Sequence, residues 1–428
     1  MKKIILIALV AVLCVGTAYA SKFEVTGSAF YRGSVKHNYN LNNETASTPL
    51  MKTSYYDFDM NIFPKFVVDE NNFAIAKFAI RDMTAGVDMA ADGTDAHSDD
   101  NLSVERAYFQ TKIGPAALQL GLMDGGAWGT AFGDYITAVW RVKAVITTPI
   151  GSVVAVHQKN DEVSSETAGG NSDDNAIYYL GLVTKAGPMY IKPLLVFADY
   201  GTSAFGAGND MDKKAILLAG NGAFGDINVE FELGWADVEF DHATYKQANH
   251  SVMGAYLDVN MKSGDNLFGA TLAWGDTEKD DLNWVALGQT ANKGYHGYSF
   301  GDELNFGEII GVDMELGDNG VDAEAGMSGM TVVKLYADFK VMENLTISPM
   351  FVYAKSNYDK GSGAVTYGAA TNIEAAMELD VVGAYTINDA VTYTVGLAYA
   401  QFEEEEATPT VKDPDDAWKL WHKMAISF

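Results

Sequence analysis

The sequence predicts an all-β protein, a transmembrane antiparallel β-barrel of about 18 strands, with about 16 as the alternative count. Apolar and polar side chains alternate through segments of about ten residues, and short turns alternate with long polar loops. No apolar run beyond the first residues is long enough for a transmembrane helix. A hydrophobic content of 48% argues against disorder, and 42 glycines with only 9 prolines suit strands joined by tight turns.

Residues 1–20 predict a cleaved secretory signal peptide. Two lysines precede an apolar stretch from Ile4 to Thr17, and Ala-Tyr-Ala at 18–20 provides a small-residue cleavage site. Cys14, the only cysteine, lies inside this segment, so we expect no disulfide or thiolate metal site in the remainder. Residues 21–428 are expected to form a single barrel domain, because no linker or break in composition divides them.

Successive side chains of a strand point to opposite faces, and this parity assigns one face of each segment to lipid and the other to the barrel lumen. In the first strand Phe23, Val25 and Tyr31 lie on one face, and Glu24 and Arg32 lie on the other. The same alternation recurs at 56–62, 227–235, 333–341 and 373–381. Short turns and long loops keep their alternation along the chain, as periplasmic turns and extracellular loops do. Segment 277–329 could contain an additional hairpin, which leaves the strand count open.

The last segment alternates up to a terminal aromatic residue. Trp418, Met424, Ile426 and Phe428 share one face, and His422 interrupts the apolar series. This pattern resembles the signal that the barrel-assembly machinery reads at the end of Gram-negative outer-membrane barrels. Together with the signal peptide, it predicts that the chain is placed in the outer membrane.

The stretch from Ala116 to Thr148 contains an unusual connection between two strands. Its insert, Asp124 to Asp134, is rich in glycine and holds Trp128 and Phe132, whereas most other loops are rich in charged residues. An apolar loop on a flexible backbone suits burial against protein better than exposure to solvent. We therefore predict that this constriction loop, including Asp124, Trp128, Phe132 and Asp134, folds into the barrel and narrows it.

The four arginines all lie in the first third of the chain, and parity places them on the lumen face. They belong to the first, third, fourth and sixth predicted strands, so they share one sector of the wall. The predicted basic wall comprises Arg32, Lys77, Arg81, Arg106, Arg141 and Lys143, and the nearest lumen acids are Asp57 and Asp59. Facing charges at a narrow point act as a filter for solutes. Alternatively, the arginines pair with acids only to stiffen the wall.

Several other functions are disfavoured by composition and spacing. A formal net charge of −28 does not suit nucleic-acid binding through a basic surface. The seven histidines show no i,i+4 pairing, so we expect no metal centre, no catalytic residues and no cofactor, and we do not expect an enzyme. The acidic loops lack the spacing of a Ca²⁺-binding loop and are interpreted as solvated, although they could bind divalent cations.

The chain resembles the general porins of Gram-negative outer membranes. Glu105-Arg106-Ala107-Tyr108 in the fourth strand, the insert after the fifth strand and the terminal Phe428 carry this resemblance. It implies a third loop folded into the lumen opposite a basic cluster, and a homotrimer. The run Thr130-Ala131-Phe132-Gly133-Asp134 lacks an acid and a glycine that the family's loop often holds. The glycine-rich, acid-looped character is similar to the trimeric porins of sulfate-reducing bacteria.

The resulting functional hypothesis is a porin, a passive diffusion channel for small hydrophilic solutes and ions with a charged constriction. One alternative is a substrate-selective channel for sugars, peptides or carboxylates. Another is a closed structural or adhesive barrel. The expected partners are two further copies of the chain, outer-membrane lipid and lipopolysaccharide, the barrel-assembly machinery and the transported solutes, with no nucleic acid.

Overall fold

The structure is a computed structural model that describes most of the predicted strands and parts of two loops. The described residues are 22–38, 52–85, 102–125, 128–130, 132, 138–161, 175–200, 211–240, 250–276, 306–310, 330–356, 366–367, 370–371, 373–404 and 415–428. The strands are β1 (Lys22–His37), β2 (Lys52–Val67), β3 (Phe73–Ala85), β4 (Leu102–Ile113), β5 (Ala116–Asp124), β6 (Ala138–Thr148), β7 (Gly151–Asp161), β8 (Asn175–Ala186), β9 (Met189–Tyr200), β10 (Met211–Phe224), β11 (Ile227–Phe240), β12 (His250–Ser263), β13 (Asn266–Gly275), β14 (Met330–Met342), β15 (Leu345–Ser356), β16 (Thr366–Tyr367), β17 (Ala370–Thr371), β18 (Ile373–Asn388), β19 (Val391–Glu404) and β20 (Ala417–Ser427).

These strands form a closed antiparallel barrel. One sheet holds 18 strands, each paired with its neighbours in the chain, while β16 and β17 form a separate two-stranded hairpin. β1 pairs with both β2 and β20, so the sheet has no free edge. The prediction of about 18 strands is confirmed, because the sheet contains 18 strands and not the alternative number of 16. No helix among the described residues is long and apolar enough to cross a membrane.

Exposure follows the predicted alternation along the strands. On the outer face Trp140, Leu335 and Leu379 are each more than half exposed. Their inward-facing neighbours Arg141 and Asp380 are buried. A continuous apolar surface outside and a polar or small-residue surface inside is the pattern of a transmembrane barrel, and this part of the prediction is confirmed.

The hairpins at one end of the barrel are tight. Between β2 and β3, the Asp69 carboxylate accepts hydrogen bonds from the Asn72 side chain at 2.9 and 2.8 Å and from the backbone N–H of Asn71 at 2.8 Å. These donors lower the pKa of Asp69, the Asn72 side chain most strongly. At Gly114 and Gly187 the φ angles of 59° and 62° lie in the left-handed region that glycine adopts without strain. Such turns reverse the chain within a few residues.

A β-bulge in β4 changes the parity of that strand. Lys77 of β3 pairs with Arg106, but the next residue of β3 pairs with Val104, so Glu105 is an additional residue in β4. Ser103, Glu105 and Arg106 are all partly buried, whereas Val104 is exposed. The bulge therefore turns an acidic and a basic side chain to the lumen side by side.

The barrel closes through a contact between its two end strands. The backbone N–H of Gly27 donates to the Phe428 carbonyl at 2.8 Å, and the N–H of Phe428 donates to the Gly27 carbonyl at 3.0 Å. The Phe428 ring lies over Gly27, where an added Cβ would come within 2.4 Å of Cζ. Only glycine therefore leaves room for the terminal aromatic ring at this seam.

We predict that Gly27→Leu lowers the stability of the assembled barrel by about 1–3 kcal/mol, as overpacking of a filled site does. Val25→Leu is the matched control, because Val25 lies on the same face of the same strand and is 47% exposed. The folded fraction would be measured by heat-modifiable migration after graded urea. Equal urea midpoints for both variants would contradict the role assigned to the Gly27–Phe428 contact.

Candidate functional site

The insert after β5 lies inside the barrel. The Trp128 indole N–H donates to the Lys192 carbonyl at 2.9 Å, and its ring covers Gly181, where a Cβ would be 2.3 Å away. Phe132 is fully buried and stacks on Tyr256 with ring centroids 5.7 Å apart. The predicted inward fold is confirmed. Trp128 to Thr130 and Phe132 pack against β8–β12, whereas Asp124 at the start of the insert lies beside the arginines of β4 and β6.

A wall carboxylate, Glu232 of β11, anchors this insert. Glu232 Oε2 accepts hydrogen bonds from the backbone N–H of Thr130 at 2.7 Å and from its hydroxyl at 2.8 Å. A Cβ on the preceding Gly129 would approach Glu232 Oε2 to 2.3 Å, so glycine allows the backbone to reach the carboxylate. Lys192 Nζ also donates to the Gly129 carbonyl at 3.4 Å. These bonds satisfy polar groups that the lumen buries.

A second insert, residues 306–310 of the long connection between β13 and β14, also lies in the lumen. The Glu378 carboxylate of β18 accepts backbone N–H donors from Glu308 at 2.8 Å, Ile309 at 2.8 Å and Ile310 at 2.5 Å. Asp380 accepts a further hydrogen bond from Glu308 N–H at 3.1 Å. As at Glu232, a wall glutamate accepts hydrogen bonds from an inward-folded loop, here from three consecutive backbone N–H groups rather than from one N–H and one hydroxyl.

Two further contacts fix the second insert. Lys419 of β20 forms an ion pair with the Glu308 carboxylate at 3.0 Å and donates to the Glu308 carbonyl at 3.3 Å. A Cβ on Gly307 would lie 2.2 Å from Glu378 Oε2, so glycine again precedes the anchored residue. The second insert is thus held from two strands of the wall, β18 and β20.

The apolar side chains of both inserts join one buried cluster. This cluster contains Phe132 from the first insert and Phe306, Ile309 and Ile310 from the second. Around them pack inward-facing small and branched residues of β8–β20, among them Ala215, Val332 and Ala398. A large sector of the lumen is therefore filled by protein rather than left open to water.

The residues of the predicted basic wall belong to β1, β3, β4 and β6. The Arg32 guanidinium binds both oxygens of Asp57, with Nη2–Oδ2 at 2.8 Å and Nε–Oδ1 at 3.0 Å. Arg106 forms an ion pair with Asp124 at the end of β5, and its Nε donates to Asp124 Oδ1 at 2.7 Å. The side chains of Arg32 and Arg106 remain 31% and 30% exposed, so they border open space.

The other members of this wall differ in their surroundings. Arg141 is buried; its Nη1 donates to the Asp124 carbonyl and its Nε to Gln158 Oε1, both at 2.7 Å, and its guanidinium lies 5.1 Å from the Tyr179 ring centroid. Lys77 forms an ion pair with Glu105. Lys143, Asp59 and the backbone of Arg81 are described, whereas the Arg81 side chain and all of Asp134 lie outside the described residues. The structure thus brings Arg106, Arg141 and Asp124 together.

Acidic side chains dominate a different sector of the wall. Besides Glu232, this sector contains Asp258 of β12, whose carboxylate accepts from Thr271 at 2.6 Å and from Tyr336 at 3.0 Å. Glu378 and Asp380 continue it on β18 and are nearly inaccessible to solvent. Lysines lie in this sector as well, with Lys334 of β14 near Asp258 and Asp380, whereas all four arginines lie on β1–β7. Among the described residues, no group of three or more His, Cys, Asp or Glu could hold a metal ion.

Sequence reasoning missed the anchors and the second insert. Parity had placed the carboxylates of β11 and β18 in the lumen without giving them a role. Phe306-Gly307-Glu308-Ile309-Ile310 is, like the insert after β5, a glycine-containing apolar run inside a long polar loop. The criterion that identified the first insert would have identified the second.

Solved outer-membrane channels share this fold. No family model matches the chain, and no curated protein matches it in sequence. Its structure is similar to OccK8 (OprE) of Pseudomonas aeruginosa, with TM-score 0.52, 12% identity and coverage of 95% of this chain and 98% of that one. It is also similar to a BenF-like porin from Pseudomonas fluorescens Pf-5, with TM-score 0.53, 10% identity and coverage of 96% and 100%. At such low identity these likenesses establish the architecture alone, the 18-stranded barrel of outer-membrane porins.

We predict that Glu232→Ala releases the first insert and changes the single-channel conductance. Each lost hydrogen bond to a charged group costs about 1.5–3 kcal/mol, and two are lost, so the ratio of anchored to released insert should fall at least about a hundredfold. Glu239→Ala is the control, because Glu239 lies on the outer face of the same strand and pairs with Lys214. Planar-bilayer recording should show larger or noisier openings for Glu232→Ala alone. Traces indistinguishable from those of Glu239→Ala would refute the anchor.

Proposed function

We propose that this protein is a porin of a Gram-negative outer membrane that lets small hydrophilic solutes and ions diffuse down their gradients. The separation of the lumen into a filled apolar sector and a partly exposed charged sector carries this proposal. Barrels of 16–18 strands hold an aqueous channel, and here the inserts confine it toward β1–β7. The partly exposed Arg32–Asp57 and Arg106–Asp124 pairs border that path, where they would act as the constriction filter.

The same geometry supports a second candidate, a channel selective for one class of small solute. Arg141 packs against Tyr179, and Lys143 follows on the lumen face without an ion pair to any described residue. A cation beside an aromatic ring could bind sugars, peptides or carboxylates during passage. Saturation of conductance by an added solute would favour this candidate, while linear dependence on concentration favours simple diffusion.

The assembly and location of the protein are part of the proposal. We expect a homotrimer in contact with outer-membrane lipid and lipopolysaccharide, inserted by the barrel-assembly machinery through the Phe428 segment, after removal of a signal peptide. These expectations rest on the resemblance to trimeric porins. The continuous apolar outer face supports the membrane location, since it requires a lipid environment.

Recording of the purified protein in a planar bilayer tests the proposal directly. A porin should show steady conductance that increases in proportion to salt concentration, without an energy source. A closed structural or adhesive barrel would show none, and that result would overturn the proposal.

The constriction filter makes a prediction about ion selectivity. Arg106→Ala with Arg141→Ala should shift permeability from anions toward cations, by up to about fivefold for each positive charge removed near the path. Reversal potentials in a salt gradient measure the ratio. Arg106→Ala combined with Asp124→Asn removes an ion pair without changing the net charge and should stay near wild type. Lys214→Ala, on the outer face, controls for total charge. Unchanged reversal potentials in the double arginine variant would rule out the filter.

A further inference from the structure

The lumen face of β11–β14 carries a compact set of polar side chains near the short turns, which we call the polar platform. Two rows of cross-strand partners form it, Asn228–Asn260–Gly269–Tyr336 and Glu230–Asp258–Thr271–Lys334. Neighbouring strands lie about 4.8 Å apart and the two rows about 6.8 Å apart, so the platform covers about 14 by 7 Å.

The platform adjoins the part of the wall that binds the first insert. Glu232 and Tyr256, which contact that insert, lie two residues from Glu230 and Asp258 on the side of the long loops. Four side chains of the platform remain partly exposed: Asn228, Glu230, Asn260 and Tyr336. The platform therefore faces the lumen between the first insert and the mouth formed by the short turns.

An aromatic ring covers part of the platform. A Cβ on Gly269 would lie 2.5 Å from the hydroxyl oxygen and 2.6 Å from Cε1 of Tyr336, so the ring is packed over this glycine. The Tyr336 hydroxyl donates to Asp258 across β13 at 3.0 Å and holds the ring against the wall. One face of the ring is thus packed on backbone, and the other is left toward the lumen. Lys334 Nζ lies 5.5 Å from the ring centroid.

Hydrogen bonds fix the polar groups around this ring. Asn228 Nδ2 donates to Asn260 Oδ1 at 2.9 Å, and Asn260 Nδ2 donates to Asp258 Oδ1 at 3.2 Å. Thr271 donates to the other oxygen of Asp258 at 2.6 Å. Among the described residues, nothing binds the amide oxygen of Asn228, and Glu230 accepts no hydrogen bond. Fixed polar groups with unused bonding capacity therefore lie beside the aromatic ring.

The acids of the platform have bases close to them. Glu230 and Asp258 are cross-strand partners, and Lys192 and Lys334 are near enough to interact with them electrostatically. Two acids with two bases leave little net charge to attract an ion. A carboxylate solute would be repelled by the partly exposed Glu230, and a cation would compete with the two lysines. A neutral solute with many hydroxyl groups avoids both costs and can use the free acceptors and donors.

We propose that the polar platform binds a neutral sugar of one or two rings during passage, with one sugar ring stacked on Tyr336 and hydroxyl groups bonded to Asn228 and Glu230. The proposal rests on the proposed porin function, because an aqueous channel must bring the solute to the platform, and it specifies the solute class of a selective channel. The C–H groups on one face of a sugar ring suit an aromatic surface, and convergent polar groups fix its orientation.

The test uses maltose and the full-length protein in a detergent that contains no sugar. Saturation-transfer difference NMR measures binding, and planar-bilayer recording measures its effect on conductance. The wild type should bind maltose saturably, and conductance should fall along the same curve. Polyethylene glycol of the same size should lower conductance without saturation, because it has no sugar ring to stack.

Substitutions at the ring and at the amide should weaken maltose binding. We expect about tenfold weaker binding for Tyr336→Ala and about fivefold for Asn228→Ala, as loss of an aromatic contact and of a hydrogen bond predicts. Tyr336→Phe should keep most of the affinity, because its ring still fits over Gly269. Gly269→Ala removes no polar group, but its methyl group would displace the ring, so binding should fall as far as in Tyr336→Ala.

Two matched controls separate the platform from the rest of the wall. Gly383→Ala adds a methyl group whose nearest neighbour is 3.4 Å away, and Gln119→Ala removes a lumen amide from β5. Both should bind maltose like the wild type. Equal affinities in all variants would overturn the proposal. Saturable binding of lysine methyl ester, but not of maltose, with the same dependence on Tyr336 would also overturn it, since the platform would then bind cations.

The two readouts keep this proposal separable from the porin function. Protein that conducts but neither binds maltose nor changes its conductance with maltose refutes the platform assignment alone. Protein that binds maltose at the platform but carries no current refutes the porin function alone. Heat-modifiable migration checks that each variant is folded.

Discussion

The structure depends on the satisfaction of backbone donors inside the lumen. A loop that enters a barrel loses water for its N–H groups, and each unsatisfied group costs about 1–3 kcal/mol. Glu232 and Glu378 meet this requirement by accepting several N–H and hydroxyl donors from one insert each. Gly129 and Gly307 allow the close approach. Without these carboxylates the buried N–H groups of both inserts would be unsatisfied, and only the apolar cluster, Trp128 and Lys419 would hold the inserts inward.

The anchors also organise the charge of the wall. The acids on β11–β18 accept hydrogen bonds from backbone and tyrosine donors, and Lys334 lies among them, whereas the arginines lie on β1–β7. Arg32 and Arg106 each bind a carboxylate, yet both remain partly exposed. Pairing is therefore compatible with the filter that we propose, because pairing fixes the position of each charge while partial exposure leaves it accessible from the lumen.

Much of the fold was predictable from the sequence, because period-two alternation and loop lengths depend only on local residues. The inward course of the first insert also followed from Trp128 and Phe132. The partners of the lumen side chains could not be predicted from the sequence. The pairing of Asp124 with Arg106 and the binding of Thr130 by Glu232 depend on register and on contacts between distant segments. The second insert was missed because the connection 277–329 was interpreted only as a possible additional hairpin, although its run Phe306–Ile310 is apolar and contains glycine, like the first insert.

The bulge at Glu105 has an effect beyond its ion pair with Lys77. On the C-terminal side of the bulge the even-numbered residues of β4 face the lumen. On its N-terminal side the odd-numbered Ser103 faces the lumen, and Leu102 and Val104 point outward with exposures of 62% and 47%. A single extra residue thus reverses which residue numbers, odd or even, face the lumen on the two sides of the bulge. Deleting Glu105 would therefore remove the bulge and let Val104 follow Arg106 directly in the ladder, so Leu102 and Val104 would stay on the outer face, and the cost would fall on Lys77, which would lose its acidic partner.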